Sequence, residues 1–420
     1  MSLPLSQQLD VLRGATLADG RIVDVVLDGE TVAGVVAAGT AAPGANELDL
    51  HGHVLLPAAA EPHAHLDKSR TWELANPPFG DLVTAIQQFR AFSATETVAS
   101  IAARAEQTAL EMLAKGFTAI RSHVDLLRGD EPLRGVEALL QVRERLTGLM
   151  DIELVALADD QIDTAVFEAA LDLGVDLVGG VPHLASDPFV ELDRLLTLAE
   201  RRGASIDLHT DESLGGALTL PVFARRVAGW PRAGRSGMTA SAGHCVRLGT
   251  LPAEERDAAI SDVLAADLGI ITLPITNLYL QGWGHPVSTP RGLTAVRALL
   301  DAGARLGAGA DNVRDPFNPL GRCDPFETVS LLVTAAHTTV DEAYRLVSTG
   351  ARDVMRLPAA GPVVGGRAEL LAVRGSSLHD VAATADPSRH VIHRGRLVAS
   401  TVCTVSVAAP APAPTDRVLA

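Results

Sequence analysis

The chain is predicted to be an α/β protein, a (β/α)8 TIM barrel with a small β-sandwich module built from both chain ends. Three observations predict it. Short apolar runs alternate with helical stretches eight times through the middle of the chain. Both ends have the texture of short strands and turns. Metal-binding and acid-base residue types gather where the strand candidates end.

Residues 8–57 read as strands: VLRGATLADGR, VDVVLDGETVAGVV and NELDLHGHVLLP are apolar or alternating runs broken by Asp-Gly and Gly. GRAELLAVRG and SRHVIHRGRLVAS repeat that texture late in the chain, so the two ends are expected to pair. Between them stand VLLPAAAEPH (54–63), FTAIRSHVD (117–125), DIELVALAD (151–159), DLVGGVPH (176–183), ASIDLH (204–209), GMTASAGH (237–244), LGIITLP (268–274) and ARLGAGAD (305–311). Segments such as SIAARAEQTALEMLAK, FVELDRLLTLAERR and GLTAVRALLDAG separate them, with Leu, Ala and Val at helical spacing. An open doubly wound sheet would lead with a Gly-rich phosphate turn after its first strand, and none stands there. The expected boundaries are 1–57 and 356–405 for the two parts of the module, 58–355 for the barrel, and 406–420 for a Pro/Ala-rich flexible tail.

Composition narrows the function classes. A chain of 420 residues, 47% hydrophobic and 20% charged, suits a large core plus a small one and excludes general disorder. The net charge of -16 disfavours nucleic acid and anionic membrane as partners. No apolar run is long enough for a membrane helix, and MSLPLSQQLD lacks the pattern of a secretory signal. Cys245, Cys323 and Cys403 show no CxxC spacing, so a reducing cytoplasm is the expected location. A closed homo-oligomer is the default assembly.

Active sites of such barrels lie at the C-terminal ends of the strands. There the candidates end in Glu61, His63, His65 and Asp67; in His123 and Asp125; in His209 and Glu212; in His244; and in Asp311 and Asn312. Residues two apart on extended chain point the same way, so His63 and His65 can reach one ion. His209 and Asp311 complete a set of N and O donors with room for water, the arrangement a hydrolytic metal centre needs. Glu212 lies three residues past His209, close enough to serve a molecule bound at that ion. His51 and His53 form another HxH, but they precede the strand at its wrong end and are expected to be structural. Cys245 neighbours His244, yet neighbours on a strand face opposite ways, which argues against a thiol nucleophile.

Taken together, EPHAHLDK, SHVD, DLHTDE, the strand ending in His244 and GADNVRDPFNPLG resemble the amidohydrolase superfamily, cytosine deaminase branch, in order and rough spacing from about residue 50 to 325. DLVGGVPH and LYLQG add to the likeness. The resemblance implies a metal-dependent hydrolytic deaminase of a small nitrogen heterocycle, cytosine-like, isocytosine- or pterin-like, or triazine-like. It implies His63, His65, His209 and Asp311 as metal ligands, Glu212 as the acid-base that protonates a ring nitrogen, and His244 as the residue that steadies the attacking oxygen. Asp311 would also relay protons to departing ammonia. Binuclear relatives carry a carboxylated lysine at the end of strand 4; here that strand ends in Pro182 and His183, and the only lysines are Lys68 and Lys115. One divalent ion, Zn2+ or Fe2+, is therefore expected.

Departures from the family pattern bear on the substrate. Where the deaminase has a glutamine after strand 3, this chain has Asp159, next to Asp160. An ionised aspartate only accepts hydrogen bonds, so it suits an amidine- or guanidine-like edge. Asn312 stands where the family has a second aspartate, and Phe317 where it has a tryptophan. Leu82, His183, Asn312 and Phe317 join Asp159 as expected substrate contacts. The competing readings are hydrolysis of another C–N bond, in a cyclic amide or an N-alkylamino heterocycle, and a non-catalytic metal-binding role.

Overall fold

The computed structural model describes residues 5–230 and 237–408. Met1–Pro4, from the segment read for a secretory signal, and most of the expected tail, 409–420, lie outside the described residues. The chain opens with β1 (Val11–Thr16), β2 (Ile22–Asp28), β3 (Thr31–Ala37), β4 (Glu47–Asp49) and β5 (His53–Pro57). β1, β2 and β3 pair antiparallel in sequence, and β1 also runs parallel to β4 and touches β5.

Next come β6 (Ala59–Ala64), β7 (Phe117–Asp125), β8 (Asp151–Leu157), β9 (Leu177–Gly180), β10 (Ser205–Thr210), β11 (Ala240–His244), β12 (Gly269–Thr272) and β13 (Leu306–Ala308). They are parallel neighbours in chain order, and a bridge from Ala64 to Asp311 joins the last strand to the first. This is the eight-stranded barrel expected from the sequence. The first candidate run, 54–63, divides between the two sheets. Its start belongs to β5 and its end to β6. Pro57, with no N–H to give a ladder, stands at the last pair of β5, and the chain leaves the module there.

The chain returns to the module with β14 (Leu370–Arg374), β15 (Arg389–His393) and β16 (Arg396–Thr401). The strand order β16-β15-β14-β5-β1-β2-β3 puts both chain ends in one sheet. That sheet coils round its own core of Leu12, Val25, Leu55, Leu370 and Ile392. Thr31 bridging Arg367 ties its far sides together.

Strand alternation sorts the barrel residues. Ile120 and Val124 of β7 and Ile206 and Leu208 of β10 face outward, packing with Ala105, Met112, Leu195 and Phe223 from the surrounding helices. Many of the alternate positions, which face inward, are polar or charged: Glu61, His63, Arg121, His123, Asp207, His209 and Ser241 are all buried. A barrel interior is usually filled by branched apolar side chains. Here the centre is a stack of ionisable groups, which has to be satisfied from within.

Arg389 fastens the module to the barrel. Its buried guanidinium pairs with Asp324 at 2.9 Å, at the start of the helix Pro325–Ala336, and donates to the carbonyl of Lys115 at 2.8 Å. Removing one member of a buried pair leaves the other group without its partner. Arg389→Ala is expected to lower the unfolding free energy by about 3 to 5 kcal/mol in urea titrations.

Candidate active site

Four side chains from three strand ends converge at the C-terminal rim of the barrel. His63 lies within β6 and His65 directly after it; His209 lies within β10, and Asp311 follows β13. The Nε2 atom of His209 is 3.2 Å from that of His63 and 3.1 Å from that of His65. Asp311 Oδ1 is 3.2 Å from His65 Nε2 and 4.0 Å from His63 Nε2. Neither oxygen of Asp311 has a hydrogen-bond partner. Burial holds the imidazoles neutral: the His63 pKa is pushed down to about 3, and His65 and His209 well below the usual value. Burial likewise drives the Asp311 carboxyl well up. Three neutral imidazole nitrogens and one carboxyl oxygen thus crowd one buried point.

A cation resolves that conflict. Donors on a tetrahedral ion with bonds of about 2.0–2.1 Å stand roughly 3.3 Å apart, which matches the imidazole spacings. Three neutral nitrogens and one carboxylate suit a divalent transition ion. The backbone at β11 leaves room for this set. A Cβ on Gly243 would lie 2.8 Å from Cε1 and 2.9 Å from Nδ1 of His63, so the imidazole occupies the place a side chain would take.

Glu212 and His244 stand beside this point. Glu212 Oε1 is 3.6 Å from His244 Nδ1, and burial raises the Glu212 carboxyl to about 8, so it carries a proton at neutral pH. Its loop is tied on both sides. Asp211 accepts from the backbone N–H groups of Thr219 and Leu220, and Gln281 Nε2 donates to the Glu212 carbonyl at 2.7 Å. His244 Nδ1 accepts from Asn277 Nδ2 at 2.9 Å, which leaves its proton on Nε2, 3.8 Å from Asp311 Oδ2. His244 and Asp311 both have φ of 66°, a left-handed turn rare outside glycine. The sharp turn at each strand end aims the side chain across the barrel mouth.

A cavity of about 570 Å3 opens over these groups. Leu82, Asn312 and Phe317, the expected substrate contacts, line it. Leu82 and Phe317 share a small apolar cluster with Phe89, and Asn312 also donates to Asp315 at 2.8 Å. Asp159 and Asp160 lie on its wall too, but the Asp159 carboxylate is already engaged: Oδ2 takes a hydrogen bond from Arg90 and another from Arg128, at 2.7 Å. His183 sits behind the wall rather than on it. Its Nδ1 bonds to the His209 carbonyl at 3.1 Å and its Nε2 is 4.0 Å from Glu212 Oε2. His51 and His53 lie on the module, away from this centre.

Two features were missed in the sequence. Lys68 is buried at the cavity floor, 2.9 Å from Asp125, 3.3 Å from His65 Nδ1, and over the rings of Phe317 and Phe89 at 5.1 and 5.5 Å. Burial opposes its charge, but Asp125 and Asp67 more than compensate and raise the amine. The HLDK stretch offered the signal, a lysine directly behind two histidines. Arg90 and Arg128 had no motif; only the fold brings them to one aspartate.

Comparison with known proteins agrees with this geometry. Residues 81–399 match the model of the Amidohydrolase family. A pterin deaminase of Rhizobium rhizogenes (strain K84) is 31% identical over 389 residues, covering 89% of this chain and 87% of that one. The N-isopropylammelide isopropyl amidohydrolase of Pseudomonas sp. (strain ADP) is 28% identical, covering 84% and 88%. Among solved structures, 5-methylcytosine deaminase from Klebsiella pneumoniae superposes with a TM-score of 0.83 at 23% identity, over 95% of this chain and all of that one.

Gly243→Ala is expected to displace the His63 ring and to weaken zinc binding at least tenfold in a chelator competition, with the circular dichroism spectrum unchanged. The family match spans most of the barrel and part of the module, and the donor set sits where the sequence placed it: the chain belongs to the amidohydrolase family.

Proposed function

We propose that this protein is a deaminase that uses one divalent ion, Zn2+ or Fe2+, to hydrolyse the exocyclic C–NH2 bond of a fused, pterin-like heterocycle, releasing ammonia. The observation that carries the reading is the buried Glu212, 3.6 Å from His244, over four converging donors at the base of a cavity of about 570 Å3. That volume exceeds the need of a single six-membered ring. The pterin deaminase relative, matched along most of its length, supports a bicyclic substrate.

The residues have these roles. His63, His65, His209 and Asp311 would hold the ion. An ion there would supply Lewis acidity and lower the pKa of a water molecule to about 7. Glu212 delivers its proton to the ring nitrogen next to the reacting carbon. His244 directs Nε2–H at the oxygen that adds to that carbon, where negative charge develops. Asp311 accepts the proton that the attacking water gives up. As the C–N bond breaks, that proton passes to the departing nitrogen, and the hydroxyl left on the carbon gives its own proton back to the Glu212 carboxylate as the C=O forms, so one water is consumed, one ammonia leaves and Glu212 is restored. Lys68 offers its ammonium to an acceptor on the ring, and Phe317 and Phe89 cover the ring face. Asp159, clamped by Arg90 and Arg128, reads the far end of the substrate rather than its reacting edge. On this reading the protein's partner is a small molecule alone.

Purified protein with its metal content measured, assayed for ammonia against aminated pyrimidines, pterins and triazines, tests the reading. Ammonia from a pterin is the expected result. Release of an alkylamine from an N-alkylamino triazine in its place would move the assignment to that C–N bond. Glu212→Gln is expected to keep its metal and to lose about 10^2- to 10^4-fold in kcat. A Glu212→Gln protein of full activity would remove the acid-base role and with it this mechanism. Lys68→Met is expected to raise KM for the accepted ring with a smaller change in kcat, read from steady-state kinetics.

A further inference from the structure

One layer below the metal ligands lies a group of polar atoms that the chemistry above does not use. Asp207 precedes the ligand His209 by two residues in β10, so its side chain points the same way, one layer down. It is fully buried. Its two oxygens have different surroundings. Oδ2 accepts from Arg121 Nη1 at 2.9 Å, and Arg121, itself buried, also binds Glu153 at 2.9 Å and Ser241 Oγ at 3.0 Å. Oδ1 has no hydrogen-bond partner. It stands 3.9 Å from Nδ1 of His63 and 3.7 Å from Nε2 of His123, and neither nitrogen has a partner.

Three buried polar atoms are therefore left over at one point. A buried donor or acceptor without a partner costs about 1 to 3 kcal/mol. An ordinary N–H···O bond is about 2.9 Å long, so these separations close with a shift of about 1 Å. One carboxylate oxygen has two lone pairs and serves two donors.

We propose that Asp207 is a positioning residue for the metal centre: Oδ1 accepts the Nδ1–H of His63 and the Nε2–H of His123, fixing His63 in the tautomer whose Nε2 lone pair faces the ion. Arg121 occupies the other oxygen from below and turns Oδ1 upward. His123, whose ring lies 4.0 Å from that of His63, thereby belongs to the ligand's support. A ligand imidazole held at its second nitrogen by a carboxylate binds metal more tightly, and loss of the holder typically weakens binding 10- to 100-fold.

The inference rests on the metal-centre reading above, and zinc affinity by chelator competition tests it without an activity assay. Asp207→Asn keeps the shape, but its amide must give its oxygen to Arg121 and so turns N–H groups toward the imidazoles. Ser241→Ala loosens the same arginine and touches neither imidazole. The expected result is one zinc per wild-type chain, binding weakened about 10- to 100-fold in Asp207→Asn, and Ser241→Ala within about twofold of wild type. Equal affinity in Asp207→Asn and wild type overturns the proposal, and so does an equal loss in both variants. Two zinc ions per wild-type chain, the second lost in Asp207→Asn, overturns it as well, because His63, His123 and Asp207 would then be ligands themselves.

If Asp207→Asn does not fold, metal-free wild-type protein with 15N-labelled histidine gives the answer. His63, assigned by its loss in His63→Asn, is expected as the Nδ1–H tautomer; the Nε2–H tautomer overturns the proposal. Wild-type protein that binds no zinc defeats the metal-centre reading, while the tautomer of His63 still decides this one.

Discussion

Lone pairs forced together at a buried point are the constraint on which the rest of this structure depends. Three neutral imidazoles and one carboxylate meet above the barrel core with spacings of 3.1 to 4.0 Å. Such a set repels itself and is costly to bury without a cation. The fold holds it because the ligands come from the ends of three strands or from directly beyond them, and the strands are locked by barrel closure. The bridge between Ala64 and Asp311 is the closure itself: it joins β13 to β6 and brings the carboxylate to the two histidines of the first strand. Binding of an ion would then return as stability part of what the arrangement costs.

The polar interior below follows from the same constraint. A ligand set is only as rigid as what lies under it. In most barrels branched apolar residues fill the interior layers; here Arg121, Glu153, Asp207, Ser241 and Glu61 do so. Arg121 balances two carboxylates, and Glu61 accepts the backbone N–H groups of His63 and Ala310 at 3.1 and 2.8 Å. The first bond orients a ligand's own backbone. The second, at the residue directly before Asp311, holds the strand end that carries the fourth ligand. Burial raises the Glu61 carboxyl to about 8, and its backbone bonds counter that shift.

The cavity walls obey a different logic. They come from loops and from the helix Leu82–Ser93, which is inserted between the first two barrel strands. That helix brings Leu82, Phe89 and Arg90 over the centre from a stretch of sequence with no catalytic motif. Its apolar face packs on Phe317 and Leu280, while Arg90 reaches Asp159 across the opening. Ligands on strands and substrate contacts on loops divide the labour expected of the architecture. The chemistry is built into the rigid barrel, and the choice of substrate is left to the mouth.

By itself the sequence determined the barrel, the sharing of the second module by both chain ends, and the set formed by His63, His65, His209, Glu212, His244 and Asp311. Those features were legible because each has a local cause. Alternation of apolar and helical segments sets the strand count, and a residue at the end of a strand candidate must fall on one rim. Tertiary structure alone decided the rest. It split residues 54–63 between two sheets, because no local signal says which sheet a continuous apolar run will join. It engaged Asp159 with Arg90 and Arg128, which are 69 and 31 residues away in the chain. It placed Lys68 between two aromatic rings and set Asp207 beneath two imidazoles. Each of these depends on distances between segments remote in sequence, and periodicity within one segment carries no information about them.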